Sequence, residues 1–587
     1  MTGFRIEHLP FRRIAVDEQA QGDSRLSNWP VVYVIDGNRR QPKSGLYVGE
    51  TVNAYQRMVQ HLAGTKKSAR LDTVRVIIDE RFNKSVCLDL ESHLIRWFSG
   101  DAQYEVLNSN AGLTADAQYF DRAAYRESFA KIFENLREEG LFAQSISEIE
   151  NSDMFKLSPF KALNQDQNIA VDNILKVLIE DLQAPSRGST LVVNGGPGTG
   201  KTIVAIFMMK LLADIAAYTP GDDIDQDSLF ADYFLEGHRE PLARLHIALV
   251  IPQQSLRTSV QRVFRKTPGL DPKTVLSPFQ FAESTEQFDL VFVDEAHRLG
   301  QRANQASGGQ NKKFPRINEA LYGRDDPSFT QLDWIRTRSR HQILLVDELQ
   351  SVRPHDLAPQ TLQQIMRAAK DGDHYFHLMT QMRVKAGADY VGFVRAALRG
   401  EDPVRPDLDD YDLRFFDDLS EMRAAIRDVE KGYGLARLVA GFAWDWVTKQ
   451  RKGKKRLADF DFDFEIDDER LLWNVTDKDW INSSGAIDQV GSIHTVQGYD
   501  LNYAGVIIGP DLRLDPATGQ IVADRENYRD KKGKEKTGSF AGGFSDEQLL
   551  AFIRNIYGVL LTRGILGTFV YVCDPGLRER LRAVFGN

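Results

Sequence analysis

The stretch Gly195-Gly-Pro-Gly-Thr-Gly-Lys-Thr202 decides the fold of this 587-residue chain. It follows an apolar run that ends at Asn194 and precedes a second apolar segment that begins at Ile203. A glycine-rich turn between a buried strand and a helix directs successive backbone N–H groups at phosphate, at the positive end of the helix dipole. In this pattern Lys201 reaches the β- and γ-phosphates, and the Thr202 hydroxyl binds Mg²⁺. The residues expected to bind the nucleotide phosphates are Gly195, Gly196, Pro197, Gly198, Thr199, Gly200, Lys201 and Thr202.

The composition is that of an ordinary globular protein, with 42% hydrophobic and 27% charged residues. The chain exceeds what one hydrophobic core organises, so several domains are expected. Cys87 and Cys573 are the only cysteines. They lie far apart in the sequence, which argues against a disulfide framework or a cysteine-based zinc site and favours the cytoplasm. Neither a secretion signal nor a membrane span is expected.

The net charge of −9 does not exclude nucleic acid, because a binding groove needs only a local density of basic residues. The most basic run is Lys-Gln-Arg-Lys-Gly-Lys-Lys-Arg at 449–456. A solvated surface or a loop explains such a run equally well.

Apolar strands alternate with helical segments beyond residue 159, which predicts parallel sheets. The predicted strands are Leu191–Val193, Ile247–Ile251, Leu290–Val293, Ile343–Val346, Gly505–Ile508 and Thr568–Val572. Three polar segments interrupt this alternation and are expected to be surface insertions or loops, at 221–240, 302–324 and 511–543.

Asp294 and Glu295 follow the apolar strand that ends at Val293. A nucleotide hydrolase needs one carboxylate to hold Mg²⁺ and a second to activate the attacking water. We expect Asp294 to bind the metal and Glu295 to act as general base, although such a pair could also cap a helix.

Two interpretations of Gln167 stay open. Its amide could recognise adenine, because a helix entering the first core strand lies beside the base. Asn164 and Gln167 also have the spacing of a capping box, in which Gln167 only closes a helix end.

Asp347-Glu-Leu-Gln350 ends another apolar strand and places Gln350 to sense the γ-phosphate. With this motif the chain resembles superfamily 1 helicases, and within them the bacterial group related to Schlafen helicase domains. Three later segments resemble the fourth, fifth and sixth helicase motifs, namely Thr380–Arg383, Ser492–Asp500 and Tyr557–Arg563.

The resemblance implies two RecA-like lobes, with Arg383 and Arg563 as arginine fingers that stabilise charge on the transferred phosphoryl group. It also implies that Gln497 and Gly498 couple the nucleotide state to the nucleic-acid track. Thr495 and Ser255 would contact that track.

The N-terminal segment resembles a GIY-YIG nuclease. The resemblance rests on Val31-Val-Tyr33, Tyr47-Val-Gly49, Arg57, His61, Glu91 and Leu107-Asn108. The motif that gives this family its name, Gly-Ile-Tyr followed by Tyr-Ile-Gly, is altered here at strand-core positions. Both of its tyrosines remain.

The resemblance implies that Glu91 holds one divalent ion, Mg²⁺ or Mn²⁺, and that Arg57 stabilises charge on the scissile phosphate. Tyr33 or Tyr47 would take or relay the proton of the attacking water. A phenol of pKa about 10 is a poor base unless a neighbour such as Arg57 or His61 lowers that pKa. The alternative is that these are ordinary strand tyrosines and that Glu91 is an exposed helical acid. Asn108 is expected to be structural.

The fold class is therefore α/β, with a small nuclease-like domain followed by two parallel-sheet lobes of a P-loop NTPase. The predicted domains are 1–120 (nuclease), 121–158 (helical connector), 159–372 (first lobe) and 373–587 (second lobe, with an insertion near 511–543).

The expected function is an ATP- and Mg²⁺-dependent translocase or helicase fused to an endonuclease that acts on nucleic acid, DNA more than RNA, in anti-phage defence or repair. A homo-oligomer or a defence partner protein is possible. Alternatives are an ATP-switched nucleic-acid sensor or scaffold, and a signalling NTPase with a protein client.

Overall fold

The computed structural model describes residues 3–13, 23–37, 44–63, 71–108, 119–160, 163–183, 188–219, 229–235, 237–302, 308–347, 356–379, 387–408, 411–447, 462–476, 480–496, 500–530 and 545–586. Among these residues, no helix combines the length and the apolar character that crossing a membrane requires. Both cysteines are free thiols.

The N-terminal module is built on a five-stranded sheet with the order β1-β4-β2-β3-β5. Its elements are β1 Phe4–Pro10, β2 Val31–Asp36, β3 Gly45–Thr51, α1 Ala54–Ala63, β4 Thr73–Asp79, α2 Lys84–Asp101 and β5 Glu105–Val106. Strand β2 pairs antiparallel with β3 and β4, in a register that puts Tyr33 opposite Gly49. Because side chains alternate along a strand, the tyrosines face α1, whereas Val32, Val34 and Val48 face α2.

Three helices follow the sheet in the segment expected to be a connector, α3 Arg122–Glu138, α4 Ile146–Asn151 and α5 Asp153–Lys156. Their apolar side chains lie in the same core as α2. Phe133 is fully buried, with its ring centroid 5.2 Å from that of Trp97 and 4.3 Å from that of Phe142. A buried ion pair also joins α3 to α2, between Arg122 and Asp89. These helices therefore complete the core of the N-terminal module.

Phe133→Ala is expected to destabilise this module by about 3–5 kcal/mol, because it removes a buried aromatic side chain and leaves a cavity. Hydrogen exchange of the β2 amides in the full chain measures the change in the free energy of opening. Phe120 is 93% exposed, and Phe120→Ala is the matched control, with an expected change within about 0.5 kcal/mol. Equal effects of the two variants would show that the helices are dispensable for the core.

The first lobe has a six-stranded sheet with the order β11-β6-β10-β9-β7-β8. The pairings β11/β6, β6/β10, β10/β9 and β9/β7 are parallel, as the alternation of strands and helices predicted. Its elements are α6 Gln165–Gln183, β6 Thr190–Gly195, α7 Lys201–Ala217, α8 Ala231–Leu235, α9 Arg239–Ala243, β7 Ile247–Val250, α10 Gln254–Lys266, β8 Val275–Leu276, α11 Pro278–Glu283, β9 Phe288–Val293, α12 Gly308–Tyr322, α13 Gln331–Arg338, β10 Ser339–Val346, α14 Pro359–Asp371 and β11 Tyr375–Leu378.

The segment 302–324 was expected to be a surface insertion or a loop, and the loop alternative was wrong for most of its length. Helix α12 occupies Gly308–Tyr322 and buries Phe314 and Ile317 against Trp334. These two side chains stand three positions apart and therefore share one face of the helix. Polar residues around them conceal this short apolar stripe in the sequence.

The second lobe has a seven-stranded sheet with the order β12-β20-β17-β13-β16-β15-β14, in which β14/β15 is the antiparallel pair. Its elements are α15 Gly387–Arg399, β12 Asp412–Phe416, α16 Leu419–Tyr433, β13 Ala436–Ala440, β14 Phe464–Ile466, β15 Glu469–Trp473, β16 Gln489–Ser492, α17 Ile493–Val496, β17 Leu501–Ile508, β18 Leu512–Leu514, β19 Ile521–Ala523, α18 Asp546–Leu561, β20 Gly564–Val572 and α19 Pro575–Phe585. The polar segment at 511–543 contains the antiparallel pair β18–β19, so it is not a plain loop.

The chain divides into two compact units. One comprises Met1–Lys176, Thr202–Leu245 and Ser259–Val275, and the other comprises Val177–Lys201, His246–Thr258 and Leu276–Asn587. Within the first unit, the Ser259 hydroxyl on α10 donates a 2.6 Å hydrogen bond to Asp153 on α5. The Lys210 ammonium on α7 lies 5.7 Å from the ring centroid of Phe160. Parts of α7 and α10 thus pack in the same unit as the N-terminal module.

Candidate active sites

The phosphate loop joins β6 to α7 and has the backbone conformation that its glycines allow. Gly198 and Gly200 have φ values of 82° and 80°, in the left-handed region that other residues rarely adopt. The Lys201 ammonium donates to the carbonyl oxygens of Gly195 (2.7 Å) and Gly196 (3.0 Å). The ammonium is thereby held across the mouth of its own loop.

Two acidic strand ends accompany the loop in the first lobe. Asp294, after β9, is fully buried, and its Oδ1 accepts a 3.0 Å hydrogen bond from the Glu295 N–H. Asp347, after β10, places Oδ2 3.7 Å from Lys201 Nζ. Sequence reasoning concentrated on Gln350 in this second motif and missed Asp347. The sequence did contain a signal for Asp347, because this acid directly follows an apolar strand and the carboxyl ends of parallel strands meet at one edge of a sheet.

Glu295 adopts a left-handed backbone conformation, with φ 50°. This conformation is strained for a residue with a Cβ, and such strain concentrates at functional sites. His297 is fully buried and lies with Nε2 3.1 Å from Glu295 Oε2. Its Nδ1 accepts a 3.2 Å hydrogen bond from the Asp347 N–H. His297 therefore links the two acidic strand ends, a role that the sequence did not indicate.

The charge state of Glu295 follows from these neighbours. Burial would raise the pKa of its carboxyl, but His297, Lys201 and Arg298 hold that pKa well below the usual range. Glu295 is therefore an ionised carboxylate at neutral pH, as a general base must be.

Gln167 forms the capping box. Its Oε1 accepts from the Asn164 N–H (3.1 Å), and Asn164 Oδ1 accepts from the Gln167 N–H (2.7 Å). Gln167 is 1% exposed. The structure thus contains the capping box, and the contact of Gln167 with adenine stays a prediction.

The motif residues of the second lobe are only partly described. Arg563 is buried, and hydrogen bonds from two tyrosines fix its loop. The Tyr390 hydroxyl donates to the Leu561 carbonyl (3.0 Å), and the Tyr411 hydroxyl donates to the Gly564 carbonyl (3.2 Å). Arg383, Gln497 and Gly498 of this lobe lie outside the described residues, as does Gln350 of the first lobe.

Thr495 was expected to contact the nucleic-acid track, but its hydroxyl is engaged within the lobe. It donates to the Ser492 carbonyl (2.8 Å) and lies 3.2 Å from Asn474 Oδ1. Ser255, the other expected contact, accepts a 3.0 Å hydrogen bond from the Gln253 amide.

In the N-terminal module, four of the predicted residues form one cluster. The Tyr33 hydroxyl lies 2.8 Å from His61 Nε2, and Arg57 Nε donates to the same hydroxyl at 3.4 Å. The Tyr47 ring centroid lies 4.8 Å from that of His61 and 6.2 Å from that of Tyr33. Strands β2 and β3 supply the tyrosines, and α1 presents Arg57 and His61 one helical turn apart.

Glu91 has different described neighbours. It lies on α2 one turn beyond Cys87, and burial together with the negative charges of Glu50 and Glu91 raises the pKa of the Cys87 thiol. Glu50 follows Gly49 on β3, on the α2 side of the sheet, and forms an ion pair with Lys84. Glu50 and Glu91 thus both act on the Cys87 thiol, and the two tyrosines lie with Arg57 and His61. The Asn108 amide bonds both the N–H and the carbonyl of Val48, a structural role as expected.

Gly49 is required by the tyrosine cluster. A Cβ at this position would lie 2.2 Å from the Tyr33 hydroxyl and 2.3 Å from its Cζ, because the ring crosses β3 at Gly49. Gly49→Ala is expected to displace the ring, break its hydrogen bond to His61 and lower strand cleavage by about 10²-fold. A cleavage time course with Mg²⁺ measures this. Gly432→Ala, where a Cβ would meet nothing within 4 Å, is the matched control. Unchanged cleavage by Gly49→Ala would show that Tyr33 takes no part in the cleavage reaction.

Both sites contain carboxylates of the kind that bind divalent metal ions. The described residues contain no group of three or more His, Cys, Asp or Glu side chains that could hold a metal ion. The buried Asp294 carboxylate and a single Glu91 carboxylate nevertheless fit Mg²⁺, which binds through one or two carboxylates and retains water and phosphate oxygens.

Comparisons with known proteins match two families to two parts of the chain. A model of the GIY-YIG catalytic domain matches residues 30–104, and a model of the Schlafen group 3 DNA/RNA helicase domain matches residues 188–574. Uncharacterized protein YPL245W of Saccharomyces cerevisiae is 26% identical over 406 residues, which cover 66% of this chain and 83% of that protein.

The similar solved structures are distant. The Arterivirus nonstructural protein 10 helicase with DNA is 11% identical and has a TM-score of 0.27, covering 72% of this chain and 66% of that one. Saccharomyces cerevisiae Dbp5 bound to RNA and ADP BeF3 is 12% identical and has a TM-score of 0.27. The match covers 77% of this chain and 93% of that one. Bacteroides Pif1 bound to single-stranded DNA is 9% identical and has a TM-score of 0.24. The match covers 70% of this chain and 93% of that one.

The expected fusion is therefore confirmed: the chain joins a GIY-YIG domain to a helicase domain, and it belongs to the Schlafen group 3 DNA/RNA helicase family.

Proposed function

We propose that this chain is an ATP-driven nucleic-acid translocase or helicase that also cleaves its track through the GIY-YIG module. The observation that supports this most is the arrangement around Lys201. A formed phosphate loop, the ionised Glu295 and Asp347 surround one ammonium in the first lobe. We propose the domain boundaries given by the sequence, with 1–120 as the nuclease module, 121–158 as a helical connector that packs on its core, and 159–372 and 373–587 as the two lobes. The predicted site residues are proposed with them.

For ATP hydrolysis, we assign the backbone N–H groups of the loop and Lys201 to the phosphates, and Thr202 and Asp294 to Mg²⁺. The metal neutralises phosphate charge when bound. Glu295 orients the attacking water and accepts its proton, and His297 holds the Glu295 carboxylate in place for that step. Arg383 and Arg563 donate to the phosphoryl oxygens when the lobes close.

For strand cleavage, Arg57 donates to the scissile phosphate and Glu91 holds a divalent ion that polarises it. The Tyr33 hydroxyl is placed to pass on a proton, because it lies 2.8 Å from His61 Nε2. A neutral imidazole accepts protons near pH 7, which a phenol alone does not.

ATPase measurements with and without nucleic acid test this proposal. Single-stranded DNA, RNA and plasmid are each added to the wild type and to Lys201→Ala. Stimulation of wild-type turnover, with none in the variant, is expected. Turnover that ignores every nucleic acid would favour a signalling NTPase with a protein client.

A second candidate is an ATP-switched nucleic-acid sensor or scaffold whose nuclease module binds without cutting. The departure from the family's name motif favours it, because Val31-Val-Tyr33 and Tyr47-Val-Gly49 differ from that motif at strand-core positions. Binding of nucleic acid without cleavage would support this candidate.

We further propose a role in anti-phage defence or DNA repair, in the cytoplasm, on analogy with other nuclease–motor fusions. Phage plating on cells that express the wild type or Lys201→Ala tests the defence role. If phage plated equally well on both kinds of cell, the defence role would be excluded and DNA repair would remain as the proposed role.

A further inference from the structure

Two helices of the first lobe contact the N-terminal module, and neither proposed reaction uses these contacts. Helix α7 begins at Lys201 in the phosphate loop, and α10 begins at Gln254, next to the expected track contact Ser255. The compact unit that contains the N-terminal module also contains Thr202–Leu245 and Ser259–Val275, which include most of α7 and the second half of α10. Each helix therefore begins at or beside a residue assigned to ATP or nucleic acid and continues into contacts with the nuclease module.

The start of α10 is also tied to the ATP site. Arg298 lies three residues after Glu295, in the short helical turn Ala296–Arg298. Its guanidinium donates a 3.0 Å hydrogen bond to the side-chain oxygen of Gln253, the residue that precedes α10. A change at Glu295 that accompanies nucleotide binding therefore has a direct route to this helix.

Helix α10 contacts the module through Asp153 on α5. Ser259 is 2% exposed, and its hydroxyl donates to Asp153 Oδ2 at 2.6 Å. The Arg262 guanidinium lies 3.7 Å from the same oxygen. Hydrogen bonds to a carboxylate are short and roughly twice as strong as those between neutral groups, and a largely buried carboxylate needs such partners. Further along α10, Lys266 Nζ donates to the Ala102 carbonyl at the end of α2 (3.4 Å).

Helix α7 contacts the module through Phe160, a buried residue of the hydrophobic core around α2. The Lys210 ammonium, itself buried, lies 5.7 Å from the ring centroid of Phe160, within the range of a cation–π contact. Asp214, one turn further along α7, pairs with this ammonium, so the buried charge is satisfied in that position. The Phe160 N–H donates to the Ser158 hydroxyl (3.2 Å), which lies 3.0 Å from the Ser99 hydroxyl on α2.

All of these contacts lead to the C-terminal end of α2. Gly100, in the last turn of this helix, is packed tightly against α4 and α5. A Cβ at Gly100 would lie 2.6 Å from Ile149 Cγ2 and 3.0 Å from Phe155 Cβ. The same helix carries Glu91, about 16 Å from Ala102 at the usual rise of an α-helix. Because a packed helix transmits a displacement along its length, a shift of α5 or α10 reaches Glu91.

We propose that α7 and α10 couple the ATP site to the nuclease module, so that nucleotide binding sets the rate of strand cleavage. Ser259, Arg262 and Asp153 form the coupling contact. The inference rests on the proposed function, because it assigns a regulation to the two activities proposed above. Nucleotide binding draws the Lys201 ammonium from the carbonyls of its loop to the phosphates and thereby acts on the first turn of α7. A ligand shifts a conformational equilibrium by its difference in affinity for the two states, and this contact carries that shift to the module.

Strand cleavage by the full chain in Mg²⁺, with and without a non-hydrolysable ATP analogue, tests the proposal. In the wild type the two rates should differ by about 5- to 150-fold, the usual range of coupling between two sites. Ser259→Ala removes the hydroxyl and keeps the helix, and Arg262→Glu places a like charge beside Asp153. Each should reduce that difference by at least about 2-fold. Cleavage without the analogue and ATP turnover should stay at wild-type levels, which also reports that the variants are folded. Thr258→Ala removes a neighbouring, exposed hydroxyl from the same helix and is the matched control.

Equal cleavage by the wild type with and without the analogue would overturn the coupling and leave both activities in place. Ser259→Ala and Arg262→Glu would also overturn the coupling contact if they kept the wild-type difference. The same holds if they lost cleavage altogether, because the contact would then serve only the fold of the module. A wild type that cleaves no strand would contradict the proposed function, and hydrogen exchange of the α2 amides then decides the coupling by itself. Exchange that responds to the analogue in the wild type and not in Arg262→Glu would support it, and exchange that ignores the analogue would overturn it.

Discussion

Glu295→Gln is expected to lower ATP turnover by about 10²- to 10⁴-fold, the usual contribution of a positioned general base. The amide keeps the size of the carboxylate but cannot accept the proton of the attacking water. ATP binding should change little, because Lys201 and the loop N–H groups remain. Steady-state hydrolysis and equilibrium binding of a labelled nucleotide measure the two effects separately.

Two further variants make this prediction specific. Lys201→Ala should lose both binding and turnover, since it removes the ammonium that faces the phosphates. Glu286→Gln, at an exposed position just before β9, is the matched control and should behave as the wild type. If Glu295→Gln lost nucleotide binding as Lys201→Ala does, the carboxylate would be a ligand and not a base.

Arg57→Ala is expected to lower strand cleavage by about 10²- to 10³-fold, as the loss of one charge-stabilising donor does in other enzymes. The Arg57 guanidinium contacts the tyrosine cluster through the Tyr33 hydroxyl. ATP turnover should be unaffected. Gel analysis of cleaved strands and hydrolysis assays on the same preparation measure both.

Arg126→Ala, an exposed arginine on α3 of the same module, is the control for lost positive charge. Arg57→Lys should recover only part of the activity, since an ammonium lacks the planar fork of a guanidinium. Full cleavage by Arg57→Ala would contradict the assignment of this cluster as the nuclease site.

Much of the helicase-domain fold was predictable because its strands are short apolar runs followed by residues of distinctive chemistry. The phosphate loop, Asp294 and Glu295 each follow a buried strand of the first lobe, and the parallel order of those strands brings their ends to one edge. The members of the tyrosine cluster were named by the resemblance to GIY-YIG nucleases, which singled out Tyr33, Tyr47, Arg57 and His61.

Other features depend on contacts that no local pattern encodes. His297 links Glu295 to Asp347 only because β9 and β10 are neighbours. The need for Gly49 follows from the register that sets Tyr33 opposite it. Helix α12 was missed because its apolar stripe is short, and its stability comes from Trp334, which belongs to another element. In each case packing between distant segments decides the structure.

Cleavage of a nucleic acid strand by the purified full chain in Mg²⁺ tests the central claim most directly, with wild type and Glu91→Ala compared at equal ATP turnover. The account predicts strand cleavage by the wild type and its loss in Glu91→Ala. No cleavage by the wild type, or equal cleavage by both, would contradict it.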